Sequence, residues 1–121
     1  MMVRGVRGAT TVESDEEQSV LEATQELVEE MAKENAISPT DIISVLVSTT
    51  TDVKSTFPAK AVHSINGWMY VPVMCTNEIE VPGAMPLCIR ILMHVNTDTP
   101  QQLIKHIYQK EAVKLRPDLQ K

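Results

Sequence analysis

The segment from Pro86 to Gln101, PLCIRILMHVNTDTPQ, constrains the fold more than any other stretch of the chain. Leu87, Ile89, Ile91, Leu92, Met93 and Val95 are apolar and β-prone, so the segment reads as a buried strand, yet Arg90 stands among them. Side chains of a strand alternate between two faces. Ile89, Ile91, Met93 and Val95 therefore share one face, and Cys88, Arg90, Leu92, His94 and Asn96 share the other. Arg90 does not interrupt a core face; it heads a mixed polar one. Such a face is a cavity, a cleft, a subunit boundary or an open sheet surface with an ordinary arginine on it, and the strand alone leaves these open.

The core behind this strand has to be built without rings. Of 121 residues 43% are hydrophobic but only 3% aromatic, so Val, Ile, Leu, Met and Ala fill it. That size suits one domain spanning residues 1–121 and leaves no room for two. A formal net charge of -5 argues against nucleic acid or an anionic membrane surface as partner. No apolar run approaches the roughly 20 residues of a membrane span, and MMVRGVRG has no signal-peptide core. Cys75 and Cys88 form no CxxC pair, which fits a reducing cytoplasm better than a disulfide framework.

The rest of the chain supplies the layers. Residues 2–12, MVRGVRGATTV, are β-branched and Gly-punctuated, and predict a first strand. ESDEEQSVLEATQELVEEMAKENA predicts a long helix, with Ser14 and Glu17 as a capping box and Val20, Leu21, Thr24, Leu27, Val28 and Met31 at helical spacing. IISVLVSTTTD predicts a second strand covered on at least one side. FPAKAVHSINGW predicts a short helix opened by Pro58 and stopped at Gly67. WMYVPVMCT predicts a third strand, at an edge or bulged because Pro72 cannot donate a ladder bond. LCIRILMHV is the fourth, and PQQLIKHIYQK predicts a closing helix. The order β-α-β-α-β-β-α gives an α+β fold, a mixed β-sheet with helices packed on one face. Its other face needs a partner or a polar lining.

Few residues announce chemistry. There is no P-loop, dinucleotide fingerprint, HExxH or serine elbow. Cys75, Cys88, His94 and His106 match no standard zinc spacing, and a nucleophilic Cys75 would want a positioned base. Arg7 is flanked by Gly5 and Gly8, which permit close approach of a ligand or chain, or merely a bulge. Glu78 and Glu80 lie in an inter-strand loop, where solvated acids are common.

Taken in order, MMVRGVRGATTVE, FPAKAV (57–62), GWMYVPVMC (67–75), CIR (88–90), TDTPQ (97–101), HIY (106–108) and LRPDL (115–119) resemble the small monofunctional chorismate mutases of the trimeric, non-all-helical type. The likeness runs over essentially the whole chain. It implies a Claisen rearrangement of chorismate to prephenate, on the way to Phe and Tyr, by a barrel-like homotrimer with active sites between subunits. It implies no cofactor and no metal. A unimolecular pericyclic reaction needs neither nucleophile nor proton transfer; it needs a compact conformer held in place and charge stabilised on the ether oxygen.

Residue by residue, the resemblance makes Arg90 the guanidinium that meets the ether oxygen and a carboxylate. Arg7 clamps a substrate carboxylate, and Tyr108 is another carboxylate contact. Glu78 and Cys75 are the pair near the substrate hydroxyl. Phe57 and Ala59 pack from the neighbouring subunit, and Lys60, Leu115 and Arg116 are peripheral contacts at the mouth and tail. Two positions depart from the family pattern: His63 stands where an arginine is expected near the mouth, and Met74 where a small polar residue is expected. An arginine is permanently charged and an imidazole is not, so dianion binding is expected to be weaker or pH-dependent. Two other classes keep the same topology open: a trimeric imine deaminase, which needs a positioned water, and a structural or regulatory trimer, which would tolerate loss of Arg90.

Overall fold

The structure, a computed structural model, describes residues 1–115. Strand β1 (Met2–Thr11) leads into helix α1 (Glu17–Glu34), then strand β2 (Ile42–Thr49), short helix α2 (Ala59–Ser64), strand β3 (Val73–Asn77), strand β4 (Cys88–Thr97) and two-residue strand β5 (Ile107–Tyr108). The strands form one mixed sheet in the order β3-β2-β4-β1-β5. β4 runs antiparallel to both β1 and β2, while β3 pairs parallel with β2 and β5 parallel with β1.

The two faces of β4 separate as its alternation requires. Ile89, Ile91, Met93 and Val95 are buried, in register with Thr10, Gly8, Val6 and Arg4 on β1. Val45 and Val47 of β2 continue this layer. Helix α1 covers it with Val20, Leu27, Val28 and Met31, all fully buried. Its approach is close at Gly8, where any Cβ would overlap the Met31 sulfur and come within 3.1 Å of Leu27 Cδ1. A glycine is needed there because the helix sits where a side chain would be. The fold is thus α+β with α1 on one sheet face. On the other face Arg7, Leu46, Leu92, His94, Asn96 and Met74 are half-buried or exposed, with no helix among the described residues over them.

Four local expectations differ from what the chain does. The segment PQQLIKHIYQK is not a helix. It makes a 3-10 turn at Gln101–Leu103, runs extended into β5, and turns again at Lys110–Leu115. The Asn35 side chain accounts for this, since it accepts the Lys105 N–H at 2.8 Å and donates to the Lys105 carbonyl at 2.9 Å. Those bonds hold Lys105 extended and deliver Ile107 and Tyr108 to the free edge of β1. The capping box does not form either. Glu16 is the N-cap without a side-chain bond, Asp15 turns to the Lys54 and Ser55 N–H groups, and Glu17 pairs with Lys60 at 3.5 Å. The third strand begins only after Pro72, because Trp68 to Val71 close a turn that buries both residues. β3 is a sheet edge, as Pro72 requires. Helix α2 is shorter than its segment and ends at Ser64, before the left-handed Gly67 (φ +90°).

Candidate active site

Register places the candidate residues. Ala9 pairs with Arg90 on one side and with Tyr108 on the other, and Arg90 pairs in turn with Ser48, which pairs with Thr76. Paired residues share a face, so Tyr108, Ala9, Arg90, Ser48 and Thr76 form one row across all five strands on the face away from α1. Arg7, opposite Leu92, lies on the same face and diagonal to Arg90. Diagonal neighbours stand about 7–8 Å apart, within reach of two long side chains. Glu78 continues β3 past its end, its N–H bonded to the Thr49 carbonyl at 2.8 Å. From there its Oε1 meets Arg90 Nε at 3.1 Å. The arginine side chain is 46% exposed and the glutamate 26%, so the pair sits at the surface with its acid the better covered member.

This gives two guanidinium groups, one carboxylate and one phenol on a shallow polar field. Glu78 fixes the Nε edge of Arg90, which orients the plane of the fork. Cys88, on the same face two residues before Arg90, is fully buried. Burial pushes its thiol up, against the smaller opposing effect of the Arg90 charge; it is a neutral packing residue beside the guanidinium, not a nucleophile.

The remaining candidates collect elsewhere. A cleft of about 580 Å³ opens at the β3 edge, and Phe57, Lys60, Cys75 and Thr76 line it together with Glu17 and Lys54. Cys75 pairs with Val47 and so points to the helix side of the sheet, away from Arg90. Phe57 is 71% exposed. Ala59 opens α2 beside it. His63, on the same helix, donates from Nε2 to the Val71 carbonyl at 3.1 Å. Met74, 63% exposed, shares the Arg90 face, next to Leu46. Leu115 lines another cavity, with Leu87 and Met85. Arg116 lies outside the described residues.

Sequence reasoning passed over two residues of this field. His106 accepts the Arg7 backbone N–H at Nδ1, 2.9 Å away, and so fixes the strand position from which Arg7 projects. Ser48 stands directly opposite Arg90. His106 stands in the HIY block, but its bond to Arg7 appears only in the structure; Ser48 carries no motif, and only the register reveals it.

The sequence matches the family Chorismate mutase type I over residues 3–119. The chain belongs to that family. It is 50% identical over 119 residues to the chorismate mutase AroH of Bacillus subtilis, covering 98% of this chain and 94% of that protein. It is 46% identical over 120 residues to the chorismate mutase AroH of Thermus thermophilus, covering 98% of each. Among solved structures, a chorismate mutase from Clostridium thermocellum superposes with a TM-score of 0.87 at 44% identity, over 89% of this chain and 96% of that one.

Proposed function

We propose that this chain, over residues 1–121 as one domain, isomerises chorismate to prephenate for Phe and Tyr synthesis, as a homotrimer with three shared active sites. The observation that carries the mechanism is the Arg90–Glu78 pair at 3.1 Å, with Arg7 and Tyr108 beside it on the uncovered sheet face. In the reaction the ether C–O bond breaks as a new C–C bond forms, and no atom is gained or lost. Negative charge grows on the ether oxygen as the bond stretches. Arg90 meets that charge with a guanidinium whose orientation Glu78 has already set, so little reorganisation is needed at the transition state. Arg7 and Tyr108 hold carboxylates that stay charged throughout, and so act on binding and on the folded conformer of the substrate. Glu78 also faces the substrate hydroxyl.

Distance supports sharing between subunits. Four inter-strand steps separate β3 from β5, about 19 Å in all. One small dianion cannot touch both Tyr108 on β5 and the cleft of Phe57, Lys60 and Cys75, with Ala59 beside it, at the β3 edge of the same chain. A second copy that sets its β3 edge against the Arg7–Arg90 field brings the two sets together. His63, Met74, Leu115 and Arg116 then belong to the rim of the combined site. The half-buried Leu46 and Leu92 and the exposed Val3 and Met74 supply apolar area for such packing. No helix among the described residues is long and apolar enough to cross a membrane, and Cys75 and Cys88 are free thiols, as a cytoplasmic setting permits. The test of function is direct. Purified protein mixed with chorismate should consume it, with prephenate as sole product. Unchanged chorismate at micromolar enzyme would sink the proposal.

A further inference from the structure

Both members of the Arg90–Glu78 pair hang from one short segment, Thr49 to Asp52, at the end of β2. The Thr49 carbonyl accepts the Glu78 N–H at 2.8 Å. Thr50 binds Cys88 twice: its N–H donates to the Cys88 carbonyl at 3.0 Å, and its Oγ1 accepts the Cys88 N–H at 3.0 Å. The Thr50 hydroxyl donates in turn to Asp52 Oδ1 at 2.5 Å. Asp52 Oδ2 accepts the Leu87 N–H at 2.9 Å.

Leu87 is the point under tension. Its φ is +51°, a left-handed conformation uncommon for a leucine. It turns the chain from the loop that follows Glu78 into β4, three residues before Arg90. Asp52 holds its N–H, and the Val12 N–H donates to its carbonyl at 3.0 Å. The loop between, residues 79–86, is exposed at all positions but Met85, so it offers little other support. A carboxylate suits the task because its two oxygens accept from two donors at once.

We propose that Asp52 is a positioning residue for the rearrangement: through Thr50 and Leu87 it fixes where β4 begins, and so where the Arg90 guanidinium stands relative to Glu78. The inference rests on the catalytic role assigned to Arg90 above. Strained backbone next to a site persists where the surroundings over-determine it, and a misplacement of about 1 Å can cost about 10²-fold in rate.

The test compares Asp52→Ala, Asp52→Asn and Val28→Ala, the last a buried helix residue remote from the site, chosen to match the loss of thermal stability. Two readouts are taken on the assembled protein: steady-state constants for chorismate, and the ¹H–¹⁵N signal of the Arg90 Nε–H, assigned by its loss in Arg90→Lys. Asp52→Ala should lower kcat at least tenfold, leave KM within about threefold, and broaden or shift the Arg90 signal. Asp52→Asn keeps one acceptor oxygen and should recover most of both. Val28→Ala should move neither. An Asp52→Ala protein with kcat within a few-fold of the Val28→Ala control and an unmoved Arg90 signal overturns the inference. A displaced signal with kcat retained leaves Asp52 holding Arg90 and overturns the role given to Arg90 instead. If Asp52→Ala does not fold, Thr50→Val, which removes only the relaying hydroxyl, carries the same expectations, with Thr50→Ser as its rescue.

Discussion

Arg90 and Arg7 project from paired strands onto one face, yet the proposed mechanism asks different things of them. Charge at the ether oxygen exists only on the way to the transition state, whereas the carboxylates are charged from the start. Replacing Arg90 by Gln should therefore depress kcat by about 10²–10³ or more, with a smaller effect on KM. Lys restores the charge but not the fork or the Nε bond to Glu78, so rescue by Arg90→Lys should be partial. Arg7→Ala should raise KM more than it lowers kcat. Steady-state and single-turnover kinetics on the three variants check this, and an Arg90→Gln enzyme within a few-fold of the parent would reduce Arg90 to a surface residue. At His63 the structure adds a constraint that the sequence did not carry, the Nε2 bond to the Val71 carbonyl. An arginine at this place keeps a donor and adds a permanent charge. His63→Arg should lower KM above neutral pH and leave kcat nearly unchanged, measured from pH 6 to 8, because a charge at the rim acts on encounter and ground-state binding.

Between elements, Asp15 ties the start of α1 to the loop that carries Phe57. Its carboxylate accepts the Lys54 N–H at 2.9 Å and the Ser55 N–H at 3.0 Å. The Lys54 backbone bond is the main cause that holds its carboxyl below the ordinary aspartate value. A group with a depressed folded value stabilises the fold above its unfolded value, about 3.9, and loses that contribution as pH falls through the folded value. Asp15→Asn should therefore melt below the parent at pH 7, and the gap should close on acidification below about pH 4; a gap independent of pH would mean that the ionised form is not what the loop uses. Such long-range ties mark the limit of what was legible in the chain. The β4 alternation, the α1 stripe and the edge position announced by Pro72 are periodic or local signals, and they gave the sheet, its covered face and the place of Arg90. The capping box failed because Glu17 pairs with Lys60, some 40 residues away, and the C-terminal helix failed because Asn35 clips Lys105 from 70 residues away. Of the site, the family motifs supplied the residue names. The row through Tyr108, Ala9, Arg90 and Ser48, and the separation of Cys75 from Arg90, exist only in the register. Gly8 shows the same at the α1–β1 contact. Its sequence context left open the approach of a ligand or chain, or merely a bulge, whereas the space over it is filled by Met31 and Leu27. Gly8→Ala should cost about 1–3 kcal/mol by overpacking, read as a fall in thermal midpoint.

For the whole molecule, the uncovered sheet face and the divided site proposed above call for a second copy. Light scattering should give near three times the monomer mass at working concentration, and a fully active monomer would exclude a shared site. Mixing decides more sharply, because it tests which parts come from which chain. Arg90→Gln removes the sheet-face half of the site. Phe57→Asp with Lys60→Glu spoils the cleft half by placing acids against a dianion, at two exposed positions, and gives up one surface ion pair, that of Lys60 with Glu17. Each protein alone should be nearly inactive. Unfolded together in equal amounts and refolded, they form mixed rings, and a site is intact only where a chain with Arg90 faces a neighbour with Phe57 and Lys60. In a closed ring with head-to-tail contacts each half is drawn independently, with even odds, so about a quarter of all sites are restored. Activity should return to about a quarter of that of the parent refolded in the same way, with KM unchanged because the restored sites are whole. If each site were built within one chain, every site would keep one defective half, and mixing would restore nothing.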